Sequence, residues 1–168
     1  WVSYAAHQPA GVADMNLSTH FTLEELTSSQ WAVRNGVDNT PGPVELANLK
    51  RLAQALEVVR YTLGGPVLVS SGYRSPTVNR MIGGVSSSFH TLGLAADFTC
   101  PGFGSPLAVA RKLMGVEALP FDQLIHEYGR WVHLGLAVDG KTPRLQALTI
   151  FTPGRYIAGL LDEHEAKK

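Results

Sequence analysis

The chain has 168 residues, 17% of them charged, with 14 basic and 14 acidic side chains in balance and a single cysteine. That length suits one domain with a core that needs no covalent staples. Zero formal charge tilts against a nucleic-acid partner, which asks for a basic surface, and one cysteine excludes an internal disulfide framework and fits synthesis in a reducing cytosol.

In chain order, residues 1–14 read as a leader or upstream extension, with Met15 as a natural start and no basic-then-apolar secretory signal before it. A domain is expected over residues 15–154 and a solvated tail over 155–168. Thr22 with Glu25 forms a capping box and Phe21 with Leu26 a hydrophobic staple, so a short helix starts there. Pro43 opens a longer helix whose Leu49, Leu52, Ala53, Leu56, Val59 and Leu63 recur at helical spacing until Gly64-Gly65 stops it. Residues 66–70 read as a buried strand that delivers Arg74 through a turn at Gly72. Ser75-Pro76 starts another short helix ended by Gly83-Gly84, and Ser105-Pro106 caps a helix that Gly115 stops. Strands are expected over residues 121–127 and 131–136, then, after a turn at Asp139-Gly140, near residues 145–151. Residues 156–161 read as a short amphipathic tail helix. No stretch approaches the roughly twenty apolar residues of a membrane-crossing helix.

The chemistry concentrates in Ser88-Phe89-His90-Thr91-Leu92-Gly93-Leu94-Ala95-Ala96-Asp97 and in Trp131-Val132-His133. Gly93 and the run after it suggest a loop folding back into a strand, on which Ala95 and Asp97 share one face. Trp131 and His133 share a face for the same reason, so neighbouring strands bring His90, Asp97 and His133 to one ion. Two imidazoles and a carboxylate with an open fourth position are the catalytic zinc arrangement, whereas structural zinc is closed by four ligands rich in cysteine. Cys100 sits at an odd offset from Asp97 and faces the other way.

These motifs, with Ser70-Ser71-Gly72-Tyr73-Arg74-Ser75 upstream, resemble the zinc D-Ala-D-Ala carboxypeptidase family, peptidase M15, and within it the short phage and prophage proteins; the similarity runs over about residues 17–151. The resemblance implies an α+β fold, a small central antiparallel sheet carrying the metal site and flanked by helices, as in D-Ala-D-Ala peptidases and the Hedgehog domain. It implies His90, Asp97 and His133 as ligands of one zinc ion, Arg74 as the catalytic-site arginine that holds a substrate carboxylate, and Ser88 as a residue lining the same pocket. Many members carry an acidic residue three positions before the last histidine; here that position is Arg130.

Two groups near Arg130 can serve as base. A three-residue turn at Tyr128-Gly129-Arg130 sets Glu127 opposite Trp131 and diagonal to His133, whereas a two-residue turn moves His126 to that face. Glu127 is favoured, because a carboxylate can take a proton from water and return it to a leaving amine.

The function implied is a zinc metallopeptidase of the peptidoglycan stem peptide, a D-Ala-D-Ala carboxypeptidase or an L-Ala-D-Glu type endopeptidase. Its setting would be a phage or prophage endolysin of a Gram-negative host, a monomer made in the cytoplasm without a signal peptide and acting at the cell wall. The alternative is a non-catalytic, zinc-containing wall-binding or phage structural module, for which Arg130 is the sequence argument. A nucleic-acid-handling role has little support.

Overall fold

The structure, a computed structural model, describes residues 15–167; the expected leader lies outside the described residues. Helix α1 (Leu23–Thr27) begins where Thr22 accepts a hydrogen bond from the Glu25 N–H, and α2 (Gln30–Asn35) begins at Ser29 and ends on the left-handed Gly36. The long helix α3 (Pro43–Leu63) starts at proline and stops at the left-handed Gly64, with all six periodic residues buried. Helix α4 (Pro76–Met81) and helix α5 (Pro106–Met114) each have a serine N-cap followed by proline.

Strands β1 (Leu68–Ser71), β2 (Ala95–Thr99), β3 (Phe121–Glu127), β4 (Trp131–Leu136), β5 (Gln146–Thr152) and β6 (Arg155–Ala158) form one sheet in the order β1-β2-β4-β3-β5-β6. The fold is α+β with helices flanking the sheet, as expected. The sheet is mixed rather than purely antiparallel: β3 and β5 run parallel, and every other pair is antiparallel. The parallel pair arises because β4 returns on the β2 side of β3, so the chain passes over residues 137–145 to reach the free side.

One face of the sheet is apolar. Leu94, Ala96, Phe98, Leu124, Val132 and Leu134 are buried there in one core with Leu52, Leu56 and Val59 of α3 and Val109 and Leu113 of α5. The opposite face carries Asp97 and His133 directly paired across β2 and β4. Period-two alternation thus divides each strand between the two tasks.

Two expectations change. Strand β1 is an edge strand with Leu68 about half exposed, not a buried strand. Residues 156–161 do not form a helix: Tyr156 and Ile157 lie in β6, paired with β5 around Pro153-Gly154, where Gly154 has φ 77°. A proline-glycine turn beside an open sheet edge favours a hairpin that satisfies backbone groups a helix would leave bare. The sheet therefore continues past residue 154, and the expected boundary between domain and tail falls inside a hairpin. The segment after β6 is tied down as well, with Arg111 donating to the Leu160 carbonyl and the Thr149 hydroxyl donating to the Gly159 carbonyl.

Gly72 couples the scaffold to the site. A Cβ there would lie 2.2 Å from the Leu26 carbonyl oxygen, at the place where the Tyr73 N–H donates to that same oxygen at 2.7 Å. The Gly72 carbonyl in turn accepts from His90 Nδ1. Gly72→Ala is expected to destabilise the protein by on the order of 1–3 kcal/mol, the cost of overpacking, and to weaken metal binding because His90 loses its orienting partner. Thermal denaturation with and without a chelator reads both effects; a variant indistinguishable from wild type in both would contradict this coupling.

Candidate metal centre

His90 sits on a single 3-10 turn (Phe89–Leu92), capped by Ser88, whose hydroxyl accepts the His90 N–H at 3.3 Å. The turn closes on Gly93, left-handed at φ 69°, where a Cβ would meet the Glu45 carbonyl at 2.7 Å. This glycine reverses the chain into β2 and so sets His90 over Asp97. Strand pairing supplies the third group, since Asp97 and His133 are partners in register.

The three side chains meet as the spacing led us to expect. His133 Nδ1 lies 2.8 Å and His90 Nε2 lies 3.2 Å from the same Asp97 oxygen, Oδ1, and the two ring nitrogens are 3.2 Å apart. All three residues are buried. His90 Nδ1 donates to the Gly72 carbonyl at 2.7 Å. A neutral His90 therefore presents a lone pair at Nε2, aimed at a carboxylate oxygen and at a second imidazole nitrogen. Converging lone pairs repel unless a cation lies between them, and an outer-shell carbonyl that fixes the tautomer is the usual companion of a metal-binding histidine. Ligands about 2.0–2.1 Å from a tetrahedral zinc are about 3.3 Å from one another, close to the observed triangle. The donor set fits a divalent ion of the zinc class.

The electrostatics agree for Asp97 and His90. Burial would push the Asp97 carboxyl up, but the charges and hydrogen bonds of His90 and His133 outweigh it and hold the group far below the usual carboxylate range. Burial pushes the His90 imidazole down, which favours the neutral form a metal needs. Burial acts the same way on His133, yet the hydrogen bond and charge of Asp97 prevail and raise it.

Arg74 flanks the cluster from the β1 side. Its Nη2 donates to Asp97 Oδ2 at 2.8 Å and its Nε to the Ser71 hydroxyl at 2.9 Å. These bonds use one edge of the guanidinium and leave other N–H groups. Ser88 is half-buried and caps the turn that carries His90.

The turn between β3 and β4 has three residues. Glu127 is paired with Trp131 and Ile125 with His133, so Glu127 stands diagonal to His133 on the metal face. The Trp131 Nε1–H donates to Glu127 Oε2 at 2.9 Å. Burial pushes the Glu127 carboxyl up, partly opposed by the charge of His133. His126 is paired with Val132 and faces away from the cluster: its Nδ1 meets the Leu161 carbonyl at 3.0 Å and its ring lies edge-on to Phe151. Of the two candidate bases, the three-residue turn brings only Glu127 to the cluster. Arg130 is exposed in the turn.

Two features escaped the sequence reading: the Gly72 carbonyl behind His90 and the indole N–H on Glu127. The first joins distant segments through a path that only packing creates, whereas the second joins hairpin partners whose facing follows from the turn length. Among the described residues no helix is long and apolar enough to cross a membrane.

Residues 19–135 match the family model described as Peptidase M15. The match spans every member of the cluster, Arg74, Glu127 and Trp131. No protein in a search of curated proteins matches the chain.

Proposed function

Because this chain belongs to the peptidase M15 family, we propose that it is a zinc-dependent peptidase that hydrolyses a bond in the stem peptide of bacterial peptidoglycan. The observation that carries the reading is the diagonal placement of Glu127 beside the buried His90, Asp97 and His133. A binding module needs the three ligands only; a proton-handling carboxylate on the same face is what hydrolysis adds.

His90, Asp97 and His133 would hold the zinc ion. Bound zinc supplies Lewis-acid polarisation of the scissile carbonyl and acidifies water. Glu127 accepts the proton of the attacking water and returns it to the departing amine nitrogen. Its raised proton affinity suits the first half of that task, since a stronger base takes a proton from water more readily. Trp131 occupies Oε2 and thereby fixes the carboxylate plane with Oε1 available to the reacting proton. Arg74 donates to the Asp97 carboxylate and offers its remaining N–H groups to a substrate carboxylate, a charge-assisted contact that orients the peptide. Ser88 holds the His90 turn at the margin of the same cleft. The endolysin setting, with synthesis in a host cytoplasm and action at the wall, belongs to this proposal; the bond cleaved is D-Ala-D-Ala or an internal stem bond such as L-Ala-D-Glu.

Purified protein incubated with peptidoglycan is expected to release new amino groups and to carry about one zinc per chain, with activity lost to a chelator and restored by zinc. Mass analysis of the released muropeptides identifies the bond. Stoichiometric zinc without any hydrolysis of stem peptides would select the non-catalytic module instead.

A further inference from the structure

At the end of the β3–β4 hairpin lies an open cleft of about 490 Å³ lined by Tyr128, Arg130, Trp131, Phe151 and Glu163, with Trp131 on the face of the cluster and Phe151 on the face that carries His126. None of the chemistry above uses it. Its walls are aromatic: the Tyr128 and Trp131 rings are 5.6 Å apart at 56°. Tyr128 is held in the left-handed region, φ 54°, with its N–H donating to the Ile150 carbonyl at 2.7 Å. A side chain seldom adopts that conformation, and here it follows from the same three-residue turn that turns Glu127 to the metal.

The charges of the cleft are unequal. Glu163 is paired with Lys167 at 2.7 Å. Arg130 is exposed and, among the described residues, makes no ion pair or side-chain hydrogen bond. Arg74 and Arg111, by contrast, each bond to carboxylate and other oxygens of the protein, and Arg144 grips the Asp122 carboxylate. The cleft therefore presents one uncommitted guanidinium against aromatic surface, the pattern that accepts a carboxylate on an otherwise apolar or extended body.

Position sets what that body is. Trp131 is two strand residues from His133, about 7 Å along β4, which equals the span of two extended peptide residues. It touches both the cleft and the Glu127 carboxylate.

Resting on the peptidase reading above, we infer that Arg130, with Tyr128 and Trp131, forms a second carboxylate subsite for the stem peptide, about two residues from the scissile bond. With Arg74 at the other flank, the site selects a substrate carrying an anionic group on each side of the reacting carbonyl. Arg130 is then a specificity determinant of this chain.

The test uses stem pentapeptides whose carboxylates are converted to amides one at a time, with zinc-loaded wild type, Arg130→Ala, Arg130→Lys and Tyr128→Ala. Wild type is expected to lose about tenfold in KM on one particular amidation, the scale of one charge-assisted bond, with kcat within about twofold. Arg130→Ala should show that loss already with the free acid and be indifferent to the same amidation, while remaining sensitive to the amidation that Arg74 reads. Arg130→Lys should recover part of the discrimination. Equal loss on every peptide, or no loss on any, would overturn the subsite. A gain from an attached sugar that Tyr128→Ala removes, without any dependence on Arg130, would give the cleft to the glycan and equally overturn it. If wild type cleaves none of the peptides, the peptidase reading fails separately. The same acid-to-amide ratio is then read as Kd by calorimetry, where a ratio abolished by Arg130→Ala upholds the subsite and a ratio of one refutes it.

Discussion

Glu127→Gln is expected to lower the turnover of stem-peptide hydrolysis by about 10²–10⁴-fold, the range of a lost general acid–base, and to leave the zinc content at the wild-type level. Glutamine keeps the shape and can still face the Trp131 Nε1–H through its carbonyl, so the β3–β4 hairpin is undisturbed and only proton transfer is removed. The metal count stays because Glu127 is outside the buried trio that converges on one point. Rates on a defined muropeptide, with zinc measured on the same sample, check this outcome. His126→Ala is the control: its imidazole lies on the other face against Phe151 and the Leu161 carbonyl, so activity should persist while stability falls modestly. Near-normal turnover in Glu127→Gln would remove the base assignment altogether.

The second large effect belongs to Asp97→Asn. Loss of an outer-shell partner alone costs about 10–100-fold in metal affinity, and removing an anionic ligand is expected to exceed that, so the purified variant should carry no stoichiometric zinc. In metal-free protein the same substitution leaves Arg74 and two histidines without their shared anion. Breaking a buried ion pair on one side costs on the order of 3 kcal/mol, somewhat less here because the Arg74 side chain is 18% exposed.

The pH dependence of that difference has a definite sign. The carboxyl of Asp97 is depressed by the His90 and His133 charges and hydrogen bonds despite its burial, so its contribution is complete above the ordinary carboxylate pKa of about 3.9 and is lost as pH falls toward the folded value. The imidazole of His133 is raised by Asp97 against its own desolvation, so that contribution is complete below about 6.5 and fades as pH rises through the folded value. The stability gap between chelated wild type and Asp97→Asn is therefore widest between about pH 5 and 6.5. Denaturant titrations of the two chelated proteins across pH 3–9 measure it, and a gap that does not vary with pH would contradict the ionic account of the cluster.

How much of this was legible beforehand depended on whether the relevant signal is local. The six buried positions of α3 announce themselves at helical spacing, and the proline and glycine at its ends mark it to the residue. Helix α2 had usable signals that went unread: Ser29 accepts the Ala32 N–H and Gly36 closes the other end. The tail was misread because residues 156–161 are compatible with either period, and the open edge of β5, invisible in the sequence, tipped Tyr156 and Ile157 into a strand. The choice between Glu127 and His126 turned on a single residue of turn length. Tyr128 in the left-handed region and Gly129 at φ 69° set which of the two side chains shares the face of the cluster, and a left-handed tyrosine is an option that local propensity ranks low.

By itself, the sequence determined the identity and order of the buried trio His90, Asp97 and His133, the parity that sets Asp97 and His133 on a shared face, and the helices that cover the other face. Those features follow from residue type and spacing, which are one-dimensional. Only the tertiary structure decided the three-residue hairpin, the mixed sheet, the Gly72 carbonyl that fixes the His90 tautomer, and the free guanidinium of Arg130 beside an aromatic cleft. Each of these depends on which distant backbone or side-chain groups are left to pair once the apolar face is buried, and burial against α3 and α5 is a property of the folded chain as a whole.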